Sequence, residues 1–147
     1  MLERIGNLWD FHQRGAWIAI ATNCVVKQSG DNVMGAGLAK QAADRFPDFP
    51  RAVGDHVASG NTTSMAWPKG RLLAIPTKSH WRNPSSLSVI EQSILTARPL
   101  LEAYNISTLY CPRFGCGLGQ LNWDEVRSVI APLVDDRFVF VSPPPRG

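Results

Sequence analysis

The sequence predicts an α/β domain in three layers, a mixed central sheet between two sets of helices, and three observations carry that prediction. Segments rich in β-branched and aromatic residues alternate with segments whose apolar residues recur at helical spacing. The run Trp17-Ile18-Ala19-Ile20-Ala21 is apolar without alternation, the pattern of a central strand covered on both faces. With 147 residues, 44% of them hydrophobic and 18% charged, the chain is too apolar to be disordered and too short for two ordinary domains. One domain is therefore expected over residues 1–142, with a proline-rich extended tail at 143–147.

Taken in order, residues 5–9 and 16–26 predict two strands, separated by the turn signal Gln13-Arg14-Gly15. The polar stretch 27–32 leads into a helix over 36–46, which Pro47 stops. A short helix over 51–59 ends at Gly60-Asn61, and strands over 64–67 and 72–76 flank a Pro68-Lys69-Gly70 turn. Ser85 or Ser86 can cap a long amphipathic helix carrying Leu87, Ile90, Ile94, Leu95 and Leu101. A kink or local irregularity is expected at Pro99, which removes one ladder hydrogen bond. A buried strand over 107–111, a glycine loop over 115–119, a helix over 123–134 capped by Asn122, and a strand over 138–142 complete the order.

Composition excludes more than it names. Fifteen Lys and Arg against twelve Asp and Glu leave a formal charge of +3, too little to argue a nucleic-acid or membrane surface from balance alone. No apolar run approaches the roughly 20 residues of a spanning helix, and Met1-Leu2-Glu3-Arg4 lacks the start of a secretory signal, so a cytoplasmic protein without membrane contact is expected. Cys24, Cys111 and Cys116 form no C-x-x-C pair, and His12, His56 and His80 are widely separated. Neither a disulfide framework, a metal site nor a cofactor is expected from them.

Two glycine segments carry the chemistry. Val33-Met34-Gly35-Ala36-Gly37-Leu38-Ala39-Lys40 lies between a predicted strand and a helix, where glycines let the backbone approach a ligand and free N–H groups suit a phosphate. It matches neither the dinucleotide fingerprint nor the P-loop. Pro112-Arg113-Phe114-Gly115-Cys116-Gly117-Leu118-Gly119 occupies the same kind of junction, and its alternating glycines can turn N–H groups toward one anion while Phe114 and Leu118 flank a sugar or base. Loops after the carboxyl ends of neighbouring strands face one crevice, so the pair points to a pyrophosphate-containing ligand. Tight turns and close helix packing are the alternative use of such glycines.

Together with Gly6-Asn7-Leu8, Thr22-Asn23, Pro76-Thr77-Lys78 and Leu121-Asn122-Trp123, these segments resemble a macrodomain over nearly the whole chain. The resemblance is closest to the branch of bacterial antitoxins that remove ADP-ribose from thymidine in DNA and of the glutamate-ADP-ribose hydrolases. It implies a three-layer α/β/α fold with ADP-ribose in the crevice. Asn7 and Leu8 would then lie near the adenine, Asn23 near the distal ribose, residues 33–39 along the phosphates and distal ribose, and residues 113–119 around the pyrophosphate; Thr22 and Thr77 fall in the same motifs. Two features differ: the stretch 24–32 is longer than in the antitoxins, and Gly119 stands where the glutamate-ADP-ribose hydrolases carry a catalytic aspartate, as it does in the antitoxins.

Lys78 follows the apolar strand Leu72-Leu73-Ala74-Ile75-Pro76 and should emerge at the sheet edge. There an amine can contact a phosphate, polarise the distal ribose or attack its opened aldehyde; the resemblance makes it the residue linked to activity. A solvated lysine at a strand end is the plainer reading. His80 is a second catalytic candidate and Trp81 an aromatic wall, against roles in capping and core packing. Cys116 has no base tied to it by motif and reads as a packed thiol, and Trp123 as a helix anchor. The implied activity is release of ADP-ribose from modified DNA or protein. A phosphatase for ADP-ribose 1″-phosphate and a non-catalytic reader of ADP-ribose are the alternatives, and a partner toxin stays open.

Overall fold

The computed structural model describes residues 1–145. Its strands are β1 (Leu2–Ile5), β2 (Trp17–Thr22), β3 (Met65–Trp67), β4 (Leu72–Pro76), β5 (Leu109–Cys111) and β6 (Phe138–Ser142). Its helices are α1 (Leu8–Gln13), α2 (Gly37–Arg45), α3 (Phe49–Ala58), α4 (Leu87–Ala103) and α5 (Trp123–Ile130), the last followed by a single 3-10 turn, Ala131–Leu133. The sheet order is β1-β6-β5-β2-β4-β3, parallel throughout except for β3, which runs antiparallel to β4. The sheet is therefore mixed, as expected.

The two central strands show why an unbroken apolar run is needed. Along β2 and β4 successive side chains point to opposite faces, so Ile18, Ile20, Leu72 and Ala74 join one buried cluster beneath α1, α2 and α3. Ala19, Leu73 and Ile75 join the other, with Ile90, Ile94 and Leu101 of α4 and Val126 and Ile130 of α5. Each face of the sheet is thus covered, giving the α/β/α layering.

The strand expected over 5–9 is not there. β1 ends at Ile5, and Leu8–Gln13 forms α1 because the Asn7 side chain accepts a hydrogen bond from Trp9 N at 2.9 Å while Leu8, Trp9 and His12 are buried on one helical face. Ser86, not Ser85, caps α4, its Oγ accepting from Val89 N. α4 runs through Pro99 without a break, since that residue lies on the exposed side, where water can serve the carbonyl it leaves unpaired. The helix expected over 123–134 stops being α-helical at Ile130 and tightens before Val134. Of the expected tail, 143–145 carries no helix or strand, and Arg146 and Gly147 lie outside the described residues.

Candidate functional site

β2, β4 and β5 are parallel neighbours, so their carboxyl ends open on the same edge of the sheet. The segments that follow them line a cleft of about 680 Å³. Thr77 N donates to Thr22 O at 3.0 Å and Cys24 N to Ser79 O at 3.0 Å, which carries the β2–β4 pairing past the strand ends and fixes the spacing of these segments.

The first wall is the glycine segment 33–39. Gly37 sits at φ +59°, a left-handed conformation that opens α2 and disfavours any side chain, while a Cβ on Gly35 would meet nothing within 4 Å. The segment is held from below by two asparagines. Asn23 Nδ2 donates to Val33 O at 2.9 Å, and its Oδ1 accepts from Val25 N at 3.0 Å. Fully buried Asn32 donates from Nδ2 to Asn23 O, Val25 O and Asn23 Oδ1 at 3.0, 2.9 and 3.2 Å. The long stretch 24–32 is docked on α3: Asn32 N donates to Pro50 O at 2.8 Å, and Gly54 leaves room for Gly30 O where any Cβ would collide.

The second wall is the loop 113–119. Gly115 has φ +76°, and a Cβ there would meet Ser85 Cβ at 2.9 Å; a Cβ on Gly119 would run into Ser85 Oγ and would lie 2.6 Å from Gly115 O. Ser85 is buried, donates its N–H to Gly119 O at 3.0 Å and its hydroxyl to Thr77 Oγ1 at 3.4 Å. Ser85 therefore fills the volume that a side chain at 119 needs, which gives a physical reason for the absence of a carboxylate at that place.

Three cations line the cleft, Lys78, Arg82 and Arg113, and among the described residues no Asp or Glu does. Lys78 is half-buried and enters no ion pair among the described residues. Thr22 also lines the cleft, but its Oγ1 is closed off from it, buried with no hydrogen-bond partner among the described residues. No group of three or more His, Cys, Asp or Glu that could hold a metal occurs among the described residues, and no helix among them is long and apolar enough to cross a membrane.

Of the residues singled out in the sequence, the cleft brings together Thr22, Asn23, the run Val33 to Ala39, Thr77, Lys78, Arg113, Phe114, Gly115, Gly117, Leu118 and Gly119. It does not bring Asn7, Leu8, His80 or Cys116 to its lining. Asn7 caps α1 and Leu8 is buried in the α1–α3 core. His80 Nδ1 accepts from Arg82 N at 3.1 Å and its ring stacks on Trp81, so it shapes the turn beyond Lys78. Cys116 donates to Phe114 O, and burial pushes its thiol up, against a smaller opposing pull from Arg113. Phe114 reaches the lining but is fully buried edge-on against Phe140, whereas Leu118 is 68% exposed. The lining also includes Arg82 and Gln120, which no motif marked, and Ser85, read only as a helix cap; Trp81 lines it too, exposed and not packed in the core.

No family model matches the chain. In the solved macrodomain of Mycobacterium tuberculosis DarG the same architecture recurs, with a TM-score of 0.77 and 26% identity over 97% of this chain and 99% of that one. The layered fold and its cleft at the strand ends define a macrodomain, and the chain belongs to that family. Within it, the chain groups with the DarG branch. A Mycobacterium tuberculosis protein named DNA ADP-ribosyl glycohydrolase is 31% identical over 114 residues, 71% of this chain and 30% of the relative. A Thermosipho africanus protein named DNA ADP-ribosyl transferase-DNA ADP-ribosyl glycohydrolase fusion protein is 40% identical over 65 residues, 42% of this chain and 15% of that relative. The chain thus spans less than a third of the length of these curated relatives.

Proposed function

We infer that this macrodomain binds ADP-ribose in the cleft and hydrolyses the bond joining it to DNA. The observation that carries the reading is the cleft's electrostatics: two glycine walls and three cations with no carboxylate among the described lining residues suit a ligand with two adjoining phosphates. The names of the relatives support DNA as the acceptor.

The two walls bind and orient the pyrophosphate, which fixes the distal ribose near Lys78. Of the three lining cations Lys78 alone is half-buried, Arg82 and Arg113 being exposed, and neither His80 nor Cys116 lines the cleft. Lys78 therefore acts at the distal ribose. In the overall reaction water supplies hydroxyl to C1″ and a proton to the departing acceptor, giving ADP-ribose and the unmodified base. Residues 1–142 are the unit of this function. The fused relative supports a partner that writes the same mark, a DNA ADP-ribosyl transferase. Three free cysteines suit the reducing cytoplasm, where the reading places the chain.

The test is a comparison of three substrates followed by mass: ADP-ribosylated single-stranded DNA, a protein carrying ADP-ribosyl-glutamate, and ADP-ribose 1″-phosphate. Release of ADP-ribose with unmodified DNA as the fastest reaction is expected. Faster phosphate release would make the chain a phosphatase, and tight ADP-ribose binding with no turnover of any substrate would make it a reader.

A further inference from the structure

At the mouth of the cleft stands a tryptophan the fold does not bury. Trp9 is 5% exposed and donates its Nε1 to Gln41; Trp81 is 44% exposed, three residues beyond Lys78. Its position is set. Arg82 N and Asn83 N both donate to His80, at Nδ1 and O respectively, each at 3.1 Å, which closes a turn around it. The His80 ring stacks at 5.5 Å and the Arg82 guanidinium lies 4.7 Å from the Trp81 ring centroid. Trp81 and Arg82 both line the cleft, and exposed Leu118 lines it from the other wall. An exposed aromatic beside a guanidinium, next to a cleft without carboxylates among the described lining residues, matches the chemistry of a flat ring on an anionic chain. A protein acceptor offers neither feature regularly; a nucleic-acid strand offers both at every step.

We propose that Trp81 and Arg82 form the contact for the single-stranded DNA that carries the ADP-ribose, Trp81 stacking on a nucleobase and Arg82 pairing with a backbone phosphate. The proposal rests on the reading of the cleft as an ADP-ribose site, because it takes the strand to leave the mouth where the distal ribose ends. It adds what selects the acceptor. Base stacking of this kind contributes roughly tenfold or more in affinity per base. One phosphate contact to a single strand adds about 0.7 to the slope of log affinity against log salt.

The experiment measures affinities in the phase before turnover, by stopped-flow, for free ADP-ribose, a short ADP-ribosylated single-stranded DNA and an ADP-ribosyl-glutamate peptide. The wild-type chain should prefer the DNA over free ADP-ribose by at least about tenfold, and the peptide should show no such preference. Trp81→Ala should collapse the ratio to within about twofold, Trp81→Phe should keep most of it, and Arg82→Ala should lower the salt slope of the DNA more than that of free ADP-ribose. No DNA preference in the wild type, a preference that survives Trp81→Ala, or an equal Trp81-dependent preference for the peptide would each overturn the proposal. Failure of the functional reading looks different: a wild type that shows the Trp81-dependent preference but releases no ADP-ribose from the DNA supports the contact and removes the hydrolysis.

Discussion

Replacing Asn32 by alanine should weaken both the fold and the cleft, although the residue is fully buried and lies outside the lining. The change removes two N–H groups shared among Asn23 O, Val25 O and Asn23 Oδ1, and with them the buried Asn32 Oδ1, which has no partner among the described residues. Val25 O keeps a second donor in Val33 N, so Asn23 O is the acceptor left most in need. At about 1 kcal/mol net per hydrogen bond, with part of a desolvation penalty for the stranded carbonyl and an offset for the unpartnered Asn32 Oδ1 that goes too, the loss should be ~1–2 kcal/mol. For a chain of this size that corresponds to a fall in thermal midpoint of roughly 3–8 °C. Because Asn23 in turn holds Val33 O, loosening this pair also frees the first glycine wall, and ADP-ribose affinity should drop. Asn32→Asp separates hydrogen bonding from volume: its carboxylate would face the carbonyl oxygens that the amide now serves, so it should destabilise at least as much as Ala. Thermal unfolding and calorimetry on both variants check this. A midpoint within 2 °C of wild type for Asn32→Ala, or an Asp variant milder than Ala, would refute the reasoning.

Three further outcomes are expected. Gly35→Glu should fold normally, since a Cβ there meets nothing, yet lose ADP-ribose affinity at least about a hundredfold by placing a carboxylate against the phosphates; calorimetry with a circular dichroism control checks it. His12 is buried, and burial is the main force holding its imidazole below its ordinary value, aided by Arg71 and Arg45 and opposed by the 2.7 Å hydrogen bond to Gly70 O. With the folded value below the unfolded one, the unfolded chain takes up the proton first, so stability should fall as pH drops through about 6.5 toward the folded value, and His12→Gln should flatten that dependence in a series of pH-dependent melts. Gly119→Ala should displace the second wall, because the added methyl collides with Ser85 and approaches Gly115 O at 2.6 Å; lost ADP-ribose binding with a lowered thermal midpoint is expected.

What the sequence made legible was chemistry written in neighbouring residues. The glycine segments, Thr22-Asn23 and Pro76-Thr77-Lys78 follow parallel strands whose apolar runs identify them, so their convergence could be anticipated from topology. α1 was not legible, because it is a six-residue helix whose Leu8 and Trp9 suit a strand equally well; Asn7, accepting from Trp9 N, decides the matter. Ser85 and Asn32 were illegible for a different reason. Each matters through one backbone placed against it from a distant segment, Gly119 in the first case and Asn23 with α3 in the second, and no local pattern records such a contact. Local pattern also misdirects within a motif: Phe114 and Leu118 look alike as flanking apolar residues, but the first belongs to the core and only the second is open.

The central claim is that Lys78, half-buried among the cleft-lining residues, acts on the ADP-ribose linkage and does more than hold the ligand. The direct measurement takes two constants on one variant, the turnover of ADP-ribosylated single-stranded DNA and the affinity for free ADP-ribose, for Lys78→Ala against wild type. Turnover should fall at least about tenfold, a loss of roughly 1.4 kcal/mol of transition-state stabilisation, while affinity changes little. Turnover equal to wild type, or an affinity loss that accounts for the whole loss of rate, would contradict the account.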